Sequence, residues 1–227
     1  MPVRSPPMDG PPLSRVRARS SRLILAAARS FLDAHSLDEL SMRRLADEAG
    51  VSVRTIYNVF GDKDGVITAL VLQSFAAMDA ALARSEATDP IERIWETIAH
   101  SVQANCRYAP RAVVAEVVSD PAKYQAVVQR WNGTRLIHDA VDAAMATGAL
   151  RRDLPPSRLL EQAGPAHAQR LRQWAAGDID QEALRAGVLC AFDLCLLAVA
   201  RPPTRTRLLD HLAALEPLLP DPVTARA

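Results

Sequence analysis

A chain of 227 residues with 49% hydrophobic but only 4% aromatic residues, and just 9 glycines, has the material for a real core and a composition that favours helices. Its net charge of +1 excludes a uniformly basic nucleic-acid binder, yet the charge is uneven: residues 1–63 carry ten Lys and Arg against seven Asp and Glu, the remainder seventeen against nineteen. Three cysteines, Cys106, Cys190 and Cys195, are an odd count with no CxxC pair, so nothing points to a disulfide framework and a reducing cytoplasm fits.

Residues 1–13, MPVRSPPMDGPPL, are Pro-rich and are expected to form a disordered tail; they lack the apolar run of a secretory signal. Ser14 to His35 reads as a helix with Leu23, Ile24, Ala27, Ala28, Phe31 and Leu32 on its inner face. Its first turns hold Arg15, Arg17, Arg19 and Arg22. Cations at a helix start oppose the macrodipole, so helix stability does not account for them. A nearby polyanion would, and a solvated basic tail is the alternative.

Ser41 to Leu70, SMRRLADEAGVSVRTIYNVFGDKDGVITAL, carries the strongest pattern. Ser41 caps a short helix with Met42, Leu45, Ala46 and Ala49 on one face, and Gly50 ends it with a left-handed turn. Ser52 caps a second helix in which Ile56 and Phe60, four apart, face inward. Val53, Arg54, Thr55, Tyr57 and Asn58 are left for its outward faces. Helix, Gly-containing turn, helix is the unit that lays its second helix in the DNA major groove; an ordinary helical hairpin is the alternative. Gly61 ends this helix, Asp62 caps the next, and Lys63 stands in that first turn beside free amides, an arrangement suited to a phosphate.

Ala46, Ala49-Gly50-Val51-Ser52, Thr55-Ile56-Tyr57, Phe60 and Lys63 stand as they do in the TetR family of transcriptional regulators, and this stretch resembles that family's A-G-V-S-x-x-T-L-Y-x-H-F-x-x-K run. Val59 departs from it, standing where the family commonly has His. The resemblance implies a DNA-binding head over 14–65 and a helical regulatory domain over 66–220. Thr55, Tyr57 and Lys63 match the family's phosphate-contacting positions, and Arg17 and Arg19 lie where its leading helix borders DNA. Ser41, Arg43 and Ser52 belong to the same surface. Val53, Arg54 and Asn58 face the base edges, where Arg54 can fork onto guanine and Val53 can touch a thymine methyl.

Beyond the head the periodicity predicts helices at Val66–Arg84, from Pro90 to about Cys106, Arg111–Val118, about Ala122–Thr147, Ser157–Ala176, Asp180–Ala200 and Leu208–Leu219, with no strand. Gly133 is expected to loosen the fourth of these, Gly164-Pro165 to kink the fifth, and Pro202-Pro203 to stop the sixth. Asp180–Ala200 is apolar on nearly all sides, as a helix central to a core or buried by another chain would be. Its most apolar part, Val188–Ala200, is too short to cross a membrane and contains Asp193.

The whole reads as an all-α protein of two domains. The resemblance further implies a homodimer through the helices at 157–176 and 180–200; Asp193 is expected either to pair with Arg170 or Arg172 across that interface or to stand alone in solvent. It also implies an effector pocket among the middle helices, for which Trp95, His100, Gln103, Tyr108, Glu116, Tyr124, Trp131, Asn132 and His138 are candidates by position, about a third of them expected to line it. No metal-ligand spacing, phosphate loop or catalytic pair is present, so neither cofactor nor enzymatic activity is expected. The expected function is a ligand-responsive cytoplasmic repressor that binds a pseudo-palindromic operator as a dimer. The alternatives are an activator or ligand-independent regulator of the same fold, or a helical enzyme or carrier retaining the head.

Overall fold

The computed structural model describes residues 13–84, 86–129 and 132–220. The expected disordered tail lies outside them except for Leu13, and so does Trp131. Eleven α-helices and no strand occur among the described residues, so the protein is all-α. The chain divides into two units, Met1–Ala69 and Leu70–Ala227.

In the first unit α1 (Leu13–Leu32), α2 (Met42–Ala49) and α3 (Val53–Phe60) pack on one another, and α4 (Lys63–Leu82) begins there and continues into the second. The buried set is Ile24, Leu25, Ala28, Phe31, Leu32, Leu40, Leu45, Ala46, Ile56, Val66 and Ile67. Each fully buried aliphatic side chain contributes about 1.5–3 kcal/mol over its exposed state. Leu23, expected inside, is 46% exposed and Leu25 is buried in its place. The inner stripe of α1 follows 24, 25, 28, 31 and 32, which puts position 23 on its flank.

The second unit contains the rest of α4, then α5 (Pro90–Tyr108), α6 (Arg111–Ser119), α7 (Pro121–Val128), α8 (Asn132–Ala146), α9 (Pro156–Ala176), α10 (Gln181–Leu197), α11 (Pro202–Leu215) and a 3-10 turn, Glu216–Leu218. Its centre is α10, which packs against α9, α5 and α11, while α5 also packs on α8 and α6 on α9. Leu184, Val188, Leu189, Phe192 and Leu196 of α10 are buried, as its all-round apolarity requires. Aspartates start three of these helices: Asp89, Asp120 and Asp180 each accept backbone N–H bonds from the first turn of α5, α7 and α10.

Four features differ from the sequence expectation. The single helix expected over 122–147 is two, α7 and α8. The β-branched pair Val127-Val128 and then Gly133 weaken helix propensity between them, and Thr134 turns its hydroxyl to the Val128 carbonyl at 3.2 Å. Pro202-Pro203 opens α11 rather than merely stopping α10, because proline at a helix start loses no hydrogen bond. The connector after α8 is not a free loop: Leu150 bridges to Ala200, with Arg151 N–H on Val199 O at 2.8 Å and Arg201 N–H on Ala149 O at 3.0 Å. Finally, among the described residues α4 is long and apolar enough to span a membrane by length and composition, with a mean hydropathy of 1.6, a stretch the sequence expectation did not single out; Val188–Ala200 stays too short. Val66, Leu70, Val71 and Met78 of α4 are buried in the protein, as in a core helix.

Asp193 is fully buried and serves its own chain. Its carboxylate accepts from Trp95 Nε1 at 2.7 Å and from His211 Nδ1 at 2.6 Å, tying α10 to α5 and α11. The His211 ring lies 4.0 Å from the Trp95 ring. The Arg207 guanidinium stands 5.1 Å from the Trp95 ring centre and pairs with Asp89 at 2.9 Å and Glu92 at 3.1 Å. Burial pushes the Asp193 carboxyl up and the Trp95 and His211 hydrogen bonds pull it back. Within the chain Arg170 bonds Gln173, and Arg172 bonds Gln169 and the Val118 carbonyl. A carboxylate at the centre of an apolar helix needs partners wherever that helix is buried, and here they come from α5 and α11.

Candidate functional site

The turn between α2 and α3 is built by local chemistry. Ser41 Oγ accepts from Arg44 N–H at 3.2 Å to start α2. Gly50, with φ of +63°, ends it while Val51 N–H reaches back to Ala46 O at 3.0 Å. Ser52 Oγ then accepts from Thr55 N–H at 3.1 Å and hydrogen-bonds the Thr55 hydroxyl at 2.8 Å. Ile56, with 0% exposure, pins α3 to the core.

That anchoring decides which face of α3 is open. Arg54, Tyr57 and Asn58, spaced three and one apart, are exposed together on one side, Tyr57 at 51%. Val53 and Thr55 are half-buried at its flanks, and Ser41, Arg43, Arg44 and Ser52 on α2 and the turn are exposed. Arg17 and Arg19 on α1 are exposed as well. The Arg17 guanidinium donates to the Val59 carbonyl at 3.4 Å, which brings a cation to the end of α3 where the side chain is apolar. Nothing in the spacing of positions 17 and 59 signals that contact.

Lys63 is half-buried, and its ammonium donates to the Leu37 carbonyl at 2.6 Å, leaving two of its three donors for other partners. The loop it holds is shaped locally too: Glu39 accepts from the Ser36 N–H and hydroxyl, which hold its carboxyl below the usual range. Ser41, Arg43, Ser52, Arg54, Tyr57 and Asn58 of the helix-turn-helix are thus all exposed and bring hydrogen-bond donors. Such donors suit phosphates and base edges.

In the second unit the pocket candidates separate into distinct places. Tyr124 lines an apolar cavity of about 50 Å³ with Val71 and Phe75 of α4, Val114 and Val117 of α6, and His167 of α9. The Tyr124 hydroxyl meets His167 Nδ1 at 2.9 Å. Burial pushes the tyrosine up and lowers His167 to about 4, so the imidazole is neutral. His167 was not anticipated, since its partner is 43 positions away. His100, Gln103 and Tyr108 line a more polar groove of about 230 Å³ with Arg84 and Arg107. Trp95 belongs to the Asp193 cluster, and Glu116 pairs with Lys123 on the surface. His138 is half-buried on α8 and Asn132 opens that helix, while Trp131 lies outside the described residues.

Residues 24–70 match the family model described as bacterial regulatory proteins, tetR family. No curated protein matches the chain in sequence. Among solved structures, SmeT, the repressor of the Stenotrophomonas maltophilia multidrug efflux pump SmeDEF, superposes with a TM-score of 0.64 at 17% identity, over 81% of this chain and 92% of that one. A protein of unknown function from Rhodococcus sp. RHA1 gives 0.58 at 25% identity, over 80% and 96%. FadR of Thermus thermophilus, a TetR-family repressor solved with lauroyl-CoA, gives 0.57 at 19%, over 81% and 97%. Residues 24–70 thus carry the match to the tetR family of bacterial regulatory proteins, and the chain shares the fold of these solved structures.

Proposed function

We propose that this protein is a cytoplasmic, ligand-responsive transcriptional repressor that binds a pseudo-palindromic operator as a homodimer. The observation that carries the reading is the exposed face of α3, where Arg54, Tyr57 and Asn58 stand clear of the core on the second helix of a capped helix-turn-helix. Residues 14–65 act as the DNA-binding head and 66–220 as the regulatory domain. Arg54 reads base edges with Val53 and Asn58, while Thr55, Tyr57, Lys63, Arg17, Arg19 and Arg43 hold phosphates and set register.

One head is too small to select a site in a genome, so two copies read half-sites a helical turn, or a multiple of it, apart. α9 and α10 are the proposed dimer surface. In support, Leu194 is 57% exposed on α10, a helix whose other large side chains are mostly buried. Release follows if a ligand favours a position of α4 that alters the spacing of the two recognition helices. Val71 and Phe75 of α4 lining the Tyr124 cavity support that coupling. The reported complex of FadR with lauroyl-CoA supports ligand binding on this fold.

Binding measured against a selected site and against random DNA, across a salt series, tests the division of labour. Arg54→Ala should lose about 1–3 kcal/mol of discrimination at one base pair per half-site. Lys63→Ala should weaken all sequences alike and flatten the salt slope by about one. Normal operator binding by both variants would show that α3 is not the reading helix.

A further inference from the structure

The cavity beneath Tyr124 is walled mainly by valines and Phe75, with Ser101 and Asn105 at its edge, and it holds a Tyr124–His167 pair whose chemistry can be worked out. The Tyr124 hydroxyl is buried with the side chain at 7% exposure, and its hydrogen-bond partner is His167 Nδ1 at 2.9 Å. Phenol is the stronger acid and imidazole nitrogen the stronger base, so the favoured direction is O–H to Nδ1. The ring proton of neutral His167 then sits on Nε2. That atom is buried and has no hydrogen-bond partner in the protein. A buried N–H without an acceptor is costly, and native proteins seldom carry one without a use for it.

We propose that this cavity takes a small, uncharged, largely apolar molecule bearing one acceptor oxygen, to which His167 Nε2 donates while Tyr124 holds the tautomer. The proposal rests on the reading of the second unit as an effector-binding domain and adds the class of effector. Charge is selected against, because an anion would have to be desolvated among valines with no cation to meet it. The free space, about 50 Å³, holds roughly one or two waters, so an occupant must push back its walls. Those walls include Val71 and Phe75, which are part of α4, and Tyr124 of the eight-residue α7. Occupancy is thereby linked to the helix that leads to the head.

The full-length protein would be titrated with three six- to eight-heavy-atom probes while valine methyl resonances are followed by NMR. Cyclopentanone offers the acceptor; methylenecyclopentane has the same shape with carbon in place of the oxygen; cyclopentanecarboxylate adds a charge. The ketone should bind about fivefold tighter than the alkene, the return expected from one buried hydrogen bond, and the carboxylate weakest. In His167→Phe the ketone preference should vanish, whereas His167→Gln, which keeps an N–H at similar reach, should retain part of it. Circular dichroism and the alkene affinity report whether each variant is folded. Equal binding of ketone and alkene, tightest binding of the carboxylate, or no shift of cavity valines with any probe would overturn the proposal. The regulatory reading has its own readout: probes that bind with the stated preference but leave operator affinity unchanged would contradict release, and leave the cavity chemistry standing.

Discussion

At the residue scale, Gly65 occupies the first turn of α4 with its open side toward the Phe60 carbonyl, so that a methyl built there would lie 1.9 Å from that oxygen. Alanine is ordinarily the better helix former by about 1 kcal/mol. Here backbone cannot yield as a side chain could, and Gly65→Ala should destabilise the protein by at least about 2 kcal/mol in urea unfolding. A stabilised variant would mean that α3 and α4 meet differently. Lys63 carries a related double load: its bond to Leu37 makes Lys63→Ala a stability variant as well as a DNA variant, with an expected loss of about 1 kcal/mol. His167 gives a pH signature. Burial holds it near 4 against an ordinary 6.5, so the unfolded chain takes up the proton first. Its contribution is fully present above pH 6.5, is lost as pH falls towards 4, and changes no further below that. Between pH 7.5 and 5 the wild type should lose about 2 kcal/mol more than His167→Gln. Matching losses in the two proteins would place His167 in water. Tyr124→Phe frees the imidazole to change tautomer, and should weaken ketone selectivity with little effect on the alkene.

At the element scale the Asp193 cluster ties three helices together, because α5, α10 and α11 meet on one buried carboxylate. Asp193→Ala would leave the Trp95 N–H without its acceptor and His211 without its partner, and should cost about 3 kcal/mol. A loss below about 0.5 kcal/mol in thermal or urea unfolding would show that α5, α10 and α11 are held by apolar packing alone. The helix-turn-helix was legible in the residues because its signals are local: Ser41, Gly50, Ser52 and Gly61 each act within four positions of the backbone they cap. The Asp193 and His167 contacts were not legible, since Trp95 lies 98 positions from Asp193 and Tyr124 43 from His167. Only the packed fold brings them together. The split of α7 from α8 fell between these cases: Gly133 was visible, yet apolar spacing alone ran straight through it. The prolines at 202 and 203 marked a boundary correctly, but the sequence pattern could not tell a stop from a start.

At the scale of the whole molecule, the account requires two heads and a dimer that positions them. Light scattering at micromolar concentration should give twice the 24.7 kDa chain mass, and Leu194→Glu on α10 should lower it towards one chain. A monomeric wild type would remove the proposed α9 and α10 surface and with it the symmetric operator. The exposed face of α3 carries the claim furthest, because a ligand and a dimer matter only if that face reads DNA. The most direct measurement is therefore selection and sequencing of genomic DNA bound by the purified full-length protein. Enrichment of a pseudo-palindrome, with half-sites about one helical turn or a multiple apart and guanine at the Arg54 contact, is the expected result. Recovery of DNA without a shared sequence, or of none above background, would contradict it.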